Sequence, residues 1–202
     1  ERKNLVSYDD ISQIYNSYKK NDDNCEWNNV NIFERIQKKY IAKFENICIN
    51  TDGVIYDNKK VYTFGNSYYK KDMIQKKQSI YEFDENQIVF NCVQKGGYGY
   101  YHWLCEIFPR LFYIKLYIEN NKELFENKRI ILLLYYNDSF IHDCIKILNF
   151  SNIEICPYNL NVEYNTQQMY MVTPCYCERP SWDSIMLIRK SLFMGNILVP
   201  KI

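Results

Sequence analysis

Three side chains that can do chemistry together lie four residues apart: His102, Glu106 and Arg110. On a helix that spacing brings them to neighbouring positions along one side. The trio offers an imidazole, a carboxylate and a permanent cation. Imidazoles as a class have a reference pKa of about 6.5, which suits them to taking a proton at neutral pH. The residues just before add two further features. Gly96, Gly97 and Gly99 allow a ligand or another segment to approach the backbone closely, and the helix that follows starts with unpaired N–H groups. Tyr100 and Tyr101 present flat aromatic faces. Trp103, Ile107 and Leu111 fall on another side of the helix and are expected to pack on a sheet. Pro109 has no N–H for the carbonyl of Cys105, so the helix must kink there or restart.

The elements that would position this segment are legible from periodicity. Gln87 to Val93 reads as a buried strand and the Gln94–Gly99 loop leaves its carboxyl end. A long helix is expected from about Tyr101 to Glu119. Arg129 to Tyr136 reads as an apolar strand, Ser139 to Leu148 as a helix with Ile141, Ile145 and Leu148 on one side, and Ile153–Ile155 and Gln168–Val172 as strands. A final helix is expected over Trp182–Phe193. Alternating strands and helices imply parallel pairing through crossovers. The expected fold is therefore α/β, with a Rossmann-like, mostly parallel sheet flanked by helices. In such sheets ligands sit beyond the carboxyl ends of the strands.

Upstream, Ile47–Ile49, Val54–Tyr56 and Val61–Phe64, separated by turn residues, predict a small β-meander. Lys70 to Lys77 reads as a charged connector. Residues 1–43 read as a helical arm. Ile11, Ile14, Tyr15 and Tyr18 give one apolar face, and a second helical stretch runs near Ile32–Tyr40. Residues 44–202 form the expected main domain.

Composition narrows the classes of function. The chain has 202 residues, 47% of them hydrophobic and 24% charged, with a net charge of +1. That balance builds in no strong attraction to nucleic acid or anionic membrane. No apolar run approaches the ~20 residues that span a bilayer. The 20 tyrosines and the abundant asparagines, beside the single alanine Ala42, fit an AT-rich coding bias. Helices here cannot lean on alanine, so apolar periodicity outweighs propensity. The eight cysteines lack the spacing of a compact disulfide framework and several sit in apolar runs. Reduced thiols and a cytosolic setting are expected, or a secretory-pathway lumen if an anchor precedes Glu1.

The segment Tyr100-Tyr101-His102-Trp103-Leu104, with Glu106 two residues on and then Pro109-Arg110-Leu111, resembles the signature of glycosyltransferase family 61. A turn with Pro174 and Pro180, leading to Leu187-Ile188-Arg189, is also similar, and the resemblance covers about residues 44–202. It implies a GT-B architecture of two Rossmann-like domains facing a cleft. It also implies inverting transfer of a sugar from a nucleotide donor, UDP-linked by expectation, to a glycan or glycoprotein hydroxyl. No metal or other cofactor is expected. By the resemblance this chain is the acceptor-side half, and a C-terminal donor-binding domain is its partner. His102 is the expected base and Glu106 its catalytic companion, with Gly97, Gly99, Tyr100, Tyr101 and Arg110 at the substrate.

Plainer readings stand beside these. His102 could be a structural histidine near a helix start, and Glu106 with Arg110 a simple ion pair. The glycine loop lacks the full dinucleotide fingerprint, and neither a P-loop nor a G-x-S-x-G elbow occurs. His142-Asp143-Cys144 and Cys175-Tyr176-Cys177 lack the paired spacing of a zinc site. The competing function is a non-catalytic domain of the same ancestry that binds a glycan or a partner.

Overall fold

The structure of the chain is a computed structural model, and it describes residues 2–4, 40–62, 71–173 and 188. One mixed sheet organises these residues, with helices packed on it. Its strands are β1 (Arg2–Asn4), β2 (Tyr40–Ile49), β3 (Ile55–Tyr56), β4 (Val61–Tyr62), β5 (Ser79–Glu82), β6 (Gln87–Asn91), β7 (Arg129–Leu134), β8 (Ile153–Pro157) and β9 (Val162–Val172). The main path runs β4-β3-β2-β9-β6-β7-β8, with β1 on β2 and β5 on β9.

Pairing divides the sheet. β6 pairs in parallel with β7 and β9, β7 with β8, and β5 with β9. The ladders among β1, β2, β3, β4 and β9 are antiparallel. The sheet is thus mixed, where alternation of strand and helix led us to expect a mostly parallel one. The reason is β2, which pairs antiparallel with β9 from Ile41↔Val172 to Ile49↔Tyr164, with a break only at Asn46 and Gln167. The expected meander exists as β2-β3-β4, but β2 joins it to the main sheet.

Helix α1 is built from Tyr100–His102, a π-helical segment Trp103–Ile107, and Phe108–Asn120. A short α2 (Lys122–Phe125) follows, and α3 (Ser139–Leu148) lies between β7 and β8. Strand residues alternate between two cores, as a period of two requires. Ile88, Phe90, Ile130, Leu132 and Leu134 pack with Trp103, Ile107 and Leu111 of α1 and with Ile141 and Leu148 of α3. Val89, Ile131, Leu133, Met169 and Met171 face the opposite way, toward Ile49, Val54, Ile55, Phe83, Tyr158 and Tyr164. Burial on both faces explains why β6 and β7 read as continuous apolar runs. Each such side chain contributes about 1.5–3 kcal/mol when fully buried.

Tyr40 begins β2 and Arg2–Asn4 pairs with Tyr40–Ala42. The ends of the segment expected to be a helical arm are therefore strand, because the edge of a long β2–β9 ladder recruits them. The helical face at Ile11–Tyr18, most of the stretch near Ile32–Tyr40, the proline turn and all but Ile188 of the helix expected over Trp182–Phe193 lie outside the described residues. No described helix is long and apolar enough to cross a membrane.

The turn Thr51–Gly53 sits against the end of β6. Gly53 has a φ of +80°, and a Cβ there would lie 2.4 Å from the Val93 carbonyl oxygen. Gly53→Ala is therefore expected to destabilise the chain by about 2–3 kcal/mol, through backbone strain and overpacking together. A urea melt would read this as a lower midpoint at unchanged slope.

Candidate active site

Asn91 closes β6, and the chain then turns through Gln94–Gly99 into α1. Gly97 N–H donates to the Gln94 carbonyl at 3.0 Å and Gly99 N–H to the Gly96 carbonyl at 2.8 Å, so the loop is two successive tight turns. Gly96 takes a φ of +74°, and a Cβ on it would lie 2.9 Å from His102 Cδ2. The imidazole therefore occupies the space that a side chain on Gly96 would take. Gly97 is buried, and a Cβ there would meet Ile107 Cδ1 at 2.7 Å and Tyr135 Cδ2 at 3.1 Å. Its small size lets the loop seat on α1 and β7. Gly99 precedes the first turn of α1 and accepts from Trp103 N–H at 2.9 Å.

The π-helical segment explains how Pro109 is accommodated. Phe108 N–H reaches back five residues to the Trp103 carbonyl. Widening this turn relieves the clash that a proline ring makes with the carbonyl four residues earlier. Neither a sharp kink nor a break is needed. His102 and Glu106 lie at and within this wider segment.

Glu106 is 2% exposed and Arg110 is fully buried. His102 Nδ1 lies 3.0 Å from Glu106 Oε1, with the imidazole 30% exposed. Gln94 Nε2 donates to the other carboxylate oxygen of Glu106. Gln94 Oε1 accepts from Arg110 Nη1 at 3.1 Å, and Arg110 Nη2 donates to the Asn91 carbonyl at 2.8 Å. Asn91 Nδ2 in turn donates to the Gly53 carbonyl at 3.2 Å. One line of hydrogen bonds therefore runs from the Thr51–Gly53 turn through Asn91, Arg110, Gln94 and Glu106 to His102.

Donor and acceptor rules give this line a direction. Arginine only donates, so it must face the oxygen of the Gln94 amide. The amide nitrogen then faces Glu106, whose carboxylate oxygens accept. Facing the second oxygen, His102 Nδ1 carries the proton, and the lone pair of the neutral ring lies on Nε2. Arg110 thus meets Glu106 only through Gln94, not as a direct ion pair. Its Nε has no hydrogen-bond partner. Cys92 lies in the same interior, and burial pushes its thiol up to about 11 although the Arg110 charge opposes this.

Three tyrosines flank His102 in the chain. Tyr98, Tyr100 and Tyr101 are exposed. Each is steadied edge-on by a neighbour: Tyr98 by Tyr135, Tyr100 by Phe140, and Tyr101 by the His102 ring. Asp52 joins this end of the sheet, its Oδ1 lying 3.4 Å from Tyr135 Oη. Burial, and next the nearby Asp52 charge, hold the Tyr135 phenol well above its ordinary range.

Of the residues the sequence singled out, the structure gathers His102, Glu106, Gly96, Gly97, Gly99, Tyr100 and Tyr101 at the carboxyl side of β6. Arg110 belongs to the same network from below, inside the protein. Sequence reasoning missed Gln94, Asn91 and Asp52. The available signal was an amide at each end of the step from β6 into the loop, where an apolar strand gives way to buried polar residues. Among the described residues no group of three or more His, Cys, Asp or Glu gathers as a metal-ligand set. His142 stacks on Tyr136, and its Nε2 lies 3.2 Å from the Tyr136 carbonyl oxygen. Among the described residues, Cys48, Cys92, Cys144 and Cys156 are free thiols.

These contacts carry a spectroscopic expectation. The chain has two histidines, and their acceptors lie on opposite ring nitrogens. In their neutral forms His102 should be the Nδ1–H tautomer and His142 the Nε2–H tautomer. Two-bond ¹H–¹⁵N NMR should show the two patterns. Gln94→Leu should erode the His102 pattern while leaving that of His142 intact.

Comparison with protein-family models, with curated proteins and with solved structures finds no match.

Proposed function

We propose that this chain is the acceptor-side half of an inverting glycosyltransferase, with His102 as the base that takes the proton of an acceptor hydroxyl. The observation that carries this reading is the His102–Glu106 contact of 3.0 Å on a partly exposed imidazole, reinforced behind by Gln94 and Arg110. A base in direct displacement needs a fixed tautomer and access to the attacking hydroxyl. The Glu106 carboxylate supplies the first, and the partial exposure of the ring supplies the second. Tyr100 and Tyr101 offer faces for stacking on the acceptor sugar. The motif's resemblance to glycosyltransferase family 61 adds the reaction class and the nucleotide-sugar donor.

On this reading β9-β6-β7-β8 is the Rossmann-like part of a GT-B domain. The donor, UDP-linked by expectation, is held by a second, C-terminal domain. Arg110 acts as a positioning residue, since its buried guanidinium reaches the mouth only through Gln94 and Glu106. Reduced cysteines and a cytosolic setting complete the proposal.

A second reading, a glycan-binding or partner-binding domain without transfer, is favoured by one observation. Glu106 and Arg110 are both buried, so the charged trio could serve folding alone. Nucleotide release from a panel of UDP- and GDP-sugars, with mixed glycan acceptors, separates the two. The assay takes this chain alone and together with whatever sequence follows Ile202. Acceptor-dependent release only with the following sequence supports the transfer reading. Release by these residues alone would place the donor site here and overturn the domain assignment. No release from either, with glycan binding retained, would favour the second reading.

A further inference from the structure

A cleft of about 410 Å³ opens where β2, β5 and β9 meet the turn between β3 and β4, and it shares no residue with the His102 network. Its lining includes Asn46, Asn58, Asn165, Gln167, Asp57 and Glu82. We propose that this cleft binds one neutral sugar unit of a glycan through its side-chain amides.

The strand pair is built to expose those amides. The β2–β9 register passes from Glu45↔Gln168 to Ile47↔Thr166 without a pair between Asn46 and Gln167. Asn46 takes a φ of +51°, a left-handed conformation that asparagine tolerates better than most residues. The ladder is interrupted there, and both amides line the cleft. An amide carries a donor and an acceptor side by side, as a sugar hydroxyl does.

Asn165 adds a more specific sign. Its Nδ2 donates to Glu82 Oε1 at 2.7 Å. Its Oδ1 is buried and has no hydrogen-bond partner. A buried acceptor without a donor is costly, and because this oxygen has no exposed surface a ligand hydroxyl satisfies it only when the amide turns toward the cleft. Ile47 and Phe83 also line the cleft, giving the C–H face of a sugar an apolar surface.

Other ligand classes fit less well. Asp57 and Glu82 outnumber Lys59 in the lining, which disfavours an anion. Asp57 accepts from Lys59 N–H at 2.7 Å, Lys60 N–H at 2.9 Å and Tyr62 Oη at 2.7 Å, so its carboxylate already serves its own turn. Those contacts, the Tyr62 hydroxyl first, hold its carboxyl down at about 2. Cys48 lines the cleft as well, but with Asp57 so engaged no three carboxylates, histidines or cysteines gather as a metal-ligand set among the described residues, which disfavours a divalent cation. The volume lies in the lower part of the range for small-molecule sites.

The test is titration of the ¹⁵N-labelled chain with D-glucose, D-galactose, D-mannose, D-xylose and N-acetyl-D-glucosamine, each alone, following side-chain amide signals. At least one sugar should shift the Asn46, Asn165 and Gln167 signals saturably, with a Kd in the millimolar range. Asn46→Gly, which keeps the left-handed backbone accessible, and Gln167→Ala on the exposed rim should each weaken that binding by about tenfold. His102→Ala should leave it unchanged. The proposal is overturned if no sugar gives a saturable shift. It is equally overturned if the shifts survive both cleft substitutions, or if sodium phosphate or calcium chloride moves these signals and no sugar does. None of these outcomes bears on the transfer chemistry at His102, so the two readings fail separately.

Discussion

Arg110→Met is expected to destabilise the chain by about 3–5 kcal/mol, the largest loss among substitutions around the site. The guanidinium is fully buried, and no solvent would replace what it provides. Its removal leaves Gln94 Oε1 and the Asn91 carbonyl without their donor. It also leaves the buried Glu106 carboxylate without a cation in its network. Lysine would not restore the arrangement, because one ammonium cannot present the two separated N–H groups of the fork. Chemical denaturation of wild type, Arg110→Met, Glu106→Gln and the double variant measures the effect. The double variant should be less destabilised than the sum of the singles, since removing both charges leaves neither one stranded. Strict additivity would mean that Arg110 and Glu106 do not communicate through Gln94.

His102→Ala is expected to lower kcat for sugar transfer by about 10²–10⁴-fold, the range of a lost general base. Stability should change by only about 1 kcal/mol, since the imidazole is partly exposed and its contact with Glu106 is a hydrogen bond of ordinary length. The contrast with Arg110→Met is diagnostic. On the proposed reading one residue holds the site up from inside, and the other takes the proton at the partly exposed end of the network. Activity assays beside a thermal melt would separate the roles. A His102→Ala chain that turned over normally would return His102 to the structural reading.

How much of this was legible in the sequence varied with the physics behind each element. The helix carrying His102 was readable because its apolar residues repeat and the strand before it is continuous. The special geometry at Pro109 was readable as a constraint, but its solution as a π-helical segment was not. Several backbone adjustments satisfy a proline, and packing of Trp103 and Ile107 on the sheet selects among them. Strand β2 was readable only at Ile47–Ile49. Its first half takes strand form because β9 pairs with it, a tertiary effect that local propensity does not carry. Strand β5 was missed altogether. All four of its residues are exposed, so no buried face marks it. In the site, His102, Glu106 and Arg110 were visible from their spacing. Gln94 was not, because a glutamine at a strand end looks like the start of a solvated loop. Only the fold reveals that it bridges a carboxylate and a guanidinium.

The measurement that tests the central claim most directly is time-resolved ¹H NMR of a nucleotide-sugar donor mixed with acceptor glycan and the protein carrying whatever sequence follows Ile202. The account expects the donor anomeric signal to fall while an acceptor-linked anomeric signal of opposite configuration grows, and expects His102→Ala to suppress that growth. Growth at the wild-type rate in His102→Ala, or retained configuration in the product, would contradict it.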